Sequence, residues 1–155
     1  MLFKPELCEA ILKGQKTQTR RIVKPGETCG PRLIGLPETP QSRLVRAANG
    51  RLKWYTGGTY AVQPGRGKPG IGRIRITNIR RERLHDVTEE DAVAEGCQPG
   101  EWHMLNGGRT KARHTARYAF KRLWIQINGP GAWAANPEVW VLEFELVEDG
   151  VPNED

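Results

Sequence analysis

Residues 5–23 read PELCEAILKGQKTQTRRIV, and the two halves of this stretch follow different periods. Pro5 suits the first turn of a helix, Leu7, Cys8, Ile11 and Leu12 form one apolar stripe, and Gly14 supplies a stop. A helix is therefore expected over 5–13. Residues 14–23 are β-prone, yet their first half is polar on both sides. Gly14-Gln15-Lys16-Thr17-Gln18-Thr19-Arg20-Arg21 concentrates two hydroxyls, an amine and two guanidiniums where composition would begin a strand. That start needs an explanation.

Beyond this stretch, residues 24–70 hold fifteen Gly or Pro. This third of the chain reads as loop, broken by extended pieces at 43–48, 51–55 and 59–63, with Asn49-Gly50 as a tight hairpin turn. Residues 72–84 alternate through Ile74 and Ile76, and Ile79 then breaks the period, so a bulge is expected at Thr77-Asn78. Thr88-Glu89-Glu90-Asp91 has the form of a capping box, with Val87 placed to staple onto Ala92 and Gly96 ending a short helix that delivers Glu95. Residues 97–109 read as a loop. In 111–127, Ala112, Ala116, Phe120, Leu123, Trp124 and Ile127 recur at helical spacing opposite a basic face. Residues 139–147 alternate Trp140, Leu142, Phe144 and Leu146 with Val141, Glu143 and Glu145, as a half-buried strand does. This order lacks regular βαβ repetition and predicts an α+β domain on a small, strongly curved sheet or barrel flanked by helices. The domain is expected over 1–147, with 148–155 as an acidic, frayed tail.

The 155 residues suit one domain, which buries roughly 70% of the surface of its unfolded chain and needs neither metal nor disulfide to fold. No run approaches the roughly 20 apolar residues of a membrane span, and MLFKPELCEAILKG is too charged for a signal peptide. Cys8, Cys29 and Cys97 form no C-x-x-C pair, as expected of reduced thiols in a cytoplasmic protein. The net charge of +6 is uneven. Residues 138–155 carry seven acids and no base, so the remainder sets 24 bases against eleven acids. Such an excess is the footprint of a phosphate-binding surface, although solvated element faces are often basic too.

The pattern G-x-K-x-x-T-x-R at Gly14, Lys16, Thr19 and Arg21 resembles the signature of the ASCH (activating signal cointegrator homology) domain. The block LHDVTEEDAVAEG at 84–96 and the ending WAANPEVWVLEF at 133–144 resemble the same family, in its phage- and prophage-encoded branch. The resemblance implies a PUA-like β-barrel associated with RNA. One stretch departs: the family's G-D-x-L-x-V-R-E is here Gly57-Gly58-Thr59-Tyr60-Ala61-Val62-Gln63-Pro64, without the Asp and the Arg-Glu pair.

Some small bacterial ASCH proteins are similar in these motifs and deacetylate N4-acetylcytidine. The resemblance implies catalytic roles for Lys16, Thr19 and Glu95, a nucleoside or RNA as partner, and no cofactor. A threonine hydroxyl becomes nucleophilic when a neighbouring base takes its proton, and a lysine amine serves once deprotonated, which desolvation or the charge of Arg20 or Arg21 favours. Glu95 would pass a proton to the leaving amine, and backbone N–H groups after the first helix would hold the oxyanion. The plain alternatives are Lys16 as a phosphate contact, Thr19 as a strand residue, and Glu95 as a solvated terminus or ion-pair partner of Lys16. A noncatalytic base reader would use the same cleft.

Arg20 and Arg21 suit bidentate phosphate contact, and Arg66, Lys68, Arg113 and Arg117 extend the candidate nucleic-acid surface. The proline-containing Pro64–Gly70 segment lacks the P-loop pattern and reads as a mobile basic loop over the pocket. Trp54 and Tyr55 are base-stacking candidates, with a buried hairpin end as the equal alternative. Trp102, Trp133 and Trp140 are assigned to core or interface. Cys97, His103 and His114 have spacings unlike zinc signatures, so no metal site is expected. An RNA-cutting enzyme is a third reading and would need His103 and His114 brought together. Nothing in the chain specifies a protein partner.

Overall fold

The computed structural model describes residues 1–31, 42–103 and 111–148. Helix α1 spans Pro5–Leu12, and strand β1 (Gln18–Ile22) follows it. Next come β2 (Thr28–Gly30), β3 (Leu44–Arg46), β4 (Leu52–Tyr55), β5 (Thr59–Val62) and the long β6 (Gly72–Arg83). After a 3-10 turn at Leu84–Asp86 come α2 (Glu89–Ala94), β7 (Gly100–His103), β8 (Lys111–His114), α3 (Ala116–Asn128) and β9 (Glu138–Glu148). The main sheet has the order β1-β9-β6-β5, antiparallel throughout, and curls into a half-barrel; β2-β3-β4 form a second sheet. A parallel bridge from Leu2 to Gln63 ties the segment before α1 to the far end of the sheet. The α+β class and the curved sheet with flanking helices are those the sequence predicts.

The bulge falls where the broken alternation places it, as a register shift between Ile76 and Asn78. Before it Ile74 and Ile76 face the core, and after it Ile79 does. The extra residue therefore turns Asn78, Arg80 and Glu82 to the opposite face, where they meet Glu143 and Asp91 and, from β1, Arg20. The capping box also forms, with the Thr88 hydroxyl accepting from Asp91 N and Asp91 accepting from Thr88 N. Glu95 follows as the C-cap residue.

Three expectations change. The segment 97–109 contributes β7, which pairs with β8 as a hairpin. Ala112 lies in β8, so α3 begins at Ala116, later than helical periodicity suggests. Thr115 supplies the N-cap, accepting from Tyr118 N at 3.0 Å, and the Glu89 carboxylate accepts the N–H groups of Ala116 and Arg117 at 2.9 Å each. Strand β9 is buried on both faces in its first half. Val139 and Val141 pack under α2 and α3, while Trp140 and Leu142 pack against Val45 and Trp54 of the second sheet. The acidic residues after 148 lie outside the described residues, as do the side chains of Trp102 and His103. Among the described residues no helix is long and apolar enough to cross a membrane.

Candidate functional site

The polar start of β1 is explained by what surrounds it. Because β1 is an edge strand, Gln18 and Arg20 turn to the helix-covered face of the sheet, and strand alternation turns Thr19 and Arg21 the other way. The Arg20 guanidinium is enclosed: Nη2 lies 2.7 Å from Glu82 and 3.2 Å from Asp91, and Nη1 donates to Glu95 at 3.1 Å and to the Gln18 side chain. Arg80 extends the network through Asp91, Glu82 and Glu143. Burial alone would raise the Asp91 carboxyl, but donors from Thr88 and Gln18 and the charge of Arg20 hold it below the usual range.

Lys16 is 2% exposed and Glu95 3%. The Lys16 ammonium donates to Glu95 Oε2 at 2.9 Å, to the Glu95 carbonyl at 2.9 Å and to the Gln18 carbonyl at 2.8 Å. Three acceptors match its three N–H groups. Sequence places these residues 79 positions apart, and the fold joins them because Thr17 N bonds Ala94 O, docking the β1 approach on the end of α2. Beside the pair, burial and the Glu95 charge push the Cys97 thiol up to about 11, against a smaller pull from Lys16.

Lys16, Thr19 and Glu95 all line one cavity of about 780 Å³. It wraps the edge strand β1 between the chain before α1, the α3 face and β4. Phe3, Trp54, Phe120 and Trp124 give it apolar and aromatic walls. Thr19 is buried, and among the described residues its hydroxyl bonds neither Lys16 nor Glu95. The backbone donors expected to hold an oxyanion are committed. The N–H groups of Gly14, Gln15, Lys16 and Thr17 bond backbone carbonyls at 3.0, 2.9, 3.1 and 2.8 Å.

Arg21 also lines the cavity. Its Nη2 donates to Leu2 O at 2.8 Å, its Cζ lies 5.0 Å from the centre of the Phe3 ring, and its Nε is buried without an acceptor. Burial lowers its pKa from the ordinary arginine value, partly offset by Glu95. Trp54 lines the cavity with the Lys53 ammonium 4.4 Å above its ring. Tyr55 packs edge-on to Tyr60 away from it. Arg66 and Lys68 are exposed on a turn outside the cavity, and Arg113 is exposed on β8. Arg117 donates to the carbonyls of Val87 and His85 at 3.0 Å each and lies over Trp133. Trp133 packs against the helix-side core and Trp140 is fully buried. In the hairpin register His114 pairs with Gly100 and His103 with Lys111, at opposite ends.

Sequence reasoning overlooked Gln18, Glu82 and Asp91, which enclose Arg20, and Lys4, Lys24 and Lys53 on the wall. The post-bulge alternation of Arg80 and Glu82 was the available signal for the first group.

The sequence matches no protein-family model and no curated protein. The structure resembles that of protein EF3133 from Enterococcus faecalis V583, of family DUF984, with a TM-score of 0.50 at 15% identity over 92% of this chain and 68% of that one. It also superposes on the ASCH domain from Lactobacillus crispatus JV V101, with a TM-score of 0.49 at 17% identity over 92% and 71%. The first likeness shows a shared fold.

Proposed function

We propose that this chain is an ASCH-type domain of the phage-encoded kind, whose cleft takes a nucleoside or an exposed RNA base. In this reading Lys16, Thr19 and Glu95 hydrolyse the N4-acyl amide of N4-acetylcytidine. The observation that carries it is the convergence of these three residues on one cavity, with Lys16 and Glu95 in contact at 2.9 Å. The volume suits a small molecule, and the aromatic walls offer faces on which a base stacks.

Thr19 is the nucleophile. A proton passes along the 2.9 Å contact from Lys16 to Glu95, which leaves a neutral amine beside a protonated carboxyl. The Lys16 amine then takes the Thr19 proton as Oγ1 bonds the acetyl carbon. Glu95 returns its proton to N4 as the C–N bond breaks, leaving cytidine and an acetyl ester on Thr19. Glu95 then takes a proton from water as the water oxygen bonds the acetyl carbon, and the Lys16 ammonium protonates Thr19 Oγ1 as the ester C–O bond breaks, releasing acetic acid. Because the nearby backbone donors are committed, oxyanion stabilisation falls to the side-chain cations of the wall.

A second reading, a noncatalytic reader of a modified base, is favoured by the saturated hydrogen bonding of Lys16 and its lack of contact with the Thr19 hydroxyl. Incubation with N4-acetylcytidine, followed by chromatography, separates the two. Cytidine release that disappears in Thr19→Ala and Lys16→Ala establishes the amidohydrolase. No release from a folded protein that still binds RNA, with steep salt dependence, selects the reader.

A further inference from the structure

We propose that the cavity accepts a nucleoside carrying a phosphate, seated at its mouth by Lys4, Arg21 and Lys24, with the base turned inward to Lys16, Thr19 and Glu95. The inward orientation rests on the base-binding reading above; the phosphate seat rests on the charge balance of the wall. Among the described residues the wall carries six cationic side chains and one carboxylate, Glu95. Three of the cations are neutralised. Lys16 pairs with Glu95, Arg20 is enclosed by Glu82, Asp91 and Glu95, and Lys53 pairs with Glu27 at 2.6 Å. Lys4, Arg21 and Lys24 have no salt-bridge partner among the described residues.

Two converging segments bring these three together. The Arg21–Leu2 bond fastens β1 to the chain before α1, where Lys4 occupies the N-cap with a side chain that caps nothing. Lys24 follows on the β1 side, its backbone N–H held by Glu27 Oε1 at 2.8 Å and its side chain exposed. Among the described residues Arg21 spends Nη2 on Leu2 O and no acceptor meets its Nη1, which leaves that group for an oxyanion in the cavity. Its planar fork matches phosphate geometry. A neutral base does not call for three unpaired cations, and a developing amide oxyanion carries a single charge. A phosphomonoester carries about −1.5 to −2 at neutral pH and matches the set.

The same chemistry belongs to a free nucleotide and to the backbone of an RNA strand. The test is an NMR titration of the arginine Nε–H resonances, assigned with Arg21→Gln. The probes are inorganic phosphate, cytidine, cytidine 5′-monophosphate and a trinucleotide with central cytidine and only internal phosphodiesters. Phosphate and the monophosphate are expected to move the Arg21 signal saturably. The monophosphate should bind about tenfold to a hundredfold more tightly than cytidine, the range of a charged hydrogen bond. That advantage should vanish in Arg21→Gln and shrink in Lys24→Gln, whose exposed position leaves folding intact. Tighter binding of the trinucleotide than of the monophosphate makes the strand the source, and weaker binding makes it the free nucleotide; both support the seat. Equal affinity for cytidine and its monophosphate, with the Arg21 signal unmoved, would overturn the seat and leave the base-binding reading standing. A signal moved by phosphate, with no binding of cytidine and no gain for the monophosphate, would keep the seat and overturn the base-binding reading.

Discussion

Replacing Glu95 by alanine removes the carboxylate that Lys16 and Arg20 share. Arg20 keeps Glu82 and Asp91, whereas the Lys16 ammonium is left, 2% exposed, with two backbone carbonyls as its remaining acceptors. Breaking a buried ion pair on one side costs about 3–5 kcal/mol, because the surviving charge has neither water nor a counter-ion. For a chain of this size that corresponds to roughly 6–20 °C in Tm. Lys16→Met should cost less, since Glu95 retains Arg20 at 3.1 Å. The double variant Lys16→Met/Glu95→Leu replaces the pair by apolar volume and should recover most of the Glu95→Ala loss. Urea unfolding followed by the fluorescence of the buried Trp124 and Trp140 reads all three variants. A Glu95→Ala cost below about 1 kcal/mol, or a double variant as unstable as the two singles combined, would refute the reasoning, because the pair would not be a dry, coupled unit.

The Glu27 carboxyl is the second case. Burial would raise it, but Lys53, the Lys24 N–H and Trp140 Nε1 hold it below its usual range. A depressed folded value contributes stability above the unfolded pKa of about 4.3, which is lost as pH falls through the folded value. Glu27→Gln should therefore destabilise at pH 7 and flatten the acid limb of a stability-against-pH curve. A thiol reagent at pH 8 should label the exposed Cys29 in the native protein and reach buried Cys8 and Cys97 only on unfolding, because access sets the order and burial also pushes the Cys97 thiol up to about 11. Mass spectrometry of partly labelled protein checks the order. Gly26 has φ +81°, and a Cβ there would lie 2.6 Å from Ala48 Cβ. Gly26→Ala should cost about 1–3 kcal/mol in urea unfolding, from left-handed backbone strain plus steric conflict.

Local chemistry was legible in the sequence wherever one element determined it. The helix over 5–13, the bulge at Thr77-Asn78 and the capping box at Thr88 depend on side chains within a few residues, and all three stand in the structure. The start of α3 was hidden because Ala112 extends the helical period by chance, while the true cap combines Thr115 with Glu89, 27 positions before Ala116. The burial of both faces of β9 was hidden for a similar reason, since it depends on a second sheet supplied by residues 28–55. At the site, the Lys16–Glu95 contact matches the ion-pair alternative that the sequence left open. Of the committed Gly14–Thr17 N–H groups, those of Gly14, Gln15 and Lys16 close the end of α1 on Ile11 and Ala10 and follow from the local stop at Gly14, whereas that of Thr17 depends on docking against α2, where Ala94 O receives it.

The extra residue at Thr77 makes β6 two half-strands of opposite parity joined end to end. Substitution there should be mild: Thr77 is exposed and its hydroxyl makes one long bond, 3.3 Å, to Glu143 O. Deletion is a different event. It would merge the halves into one regular alternation in which Ile79 follows Ile76 on the apolar face while Asn78, Arg80 and Glu82 keep the ionic one, each opposite its present partner on β9. The bulge is thus what lets β6 carry one residue more than β9 with both faces kept, so a homologous sequence is expected to lose this residue and the bulge together, while a gain or loss elsewhere between Asn78 and Arg83 would exchange the faces beyond it.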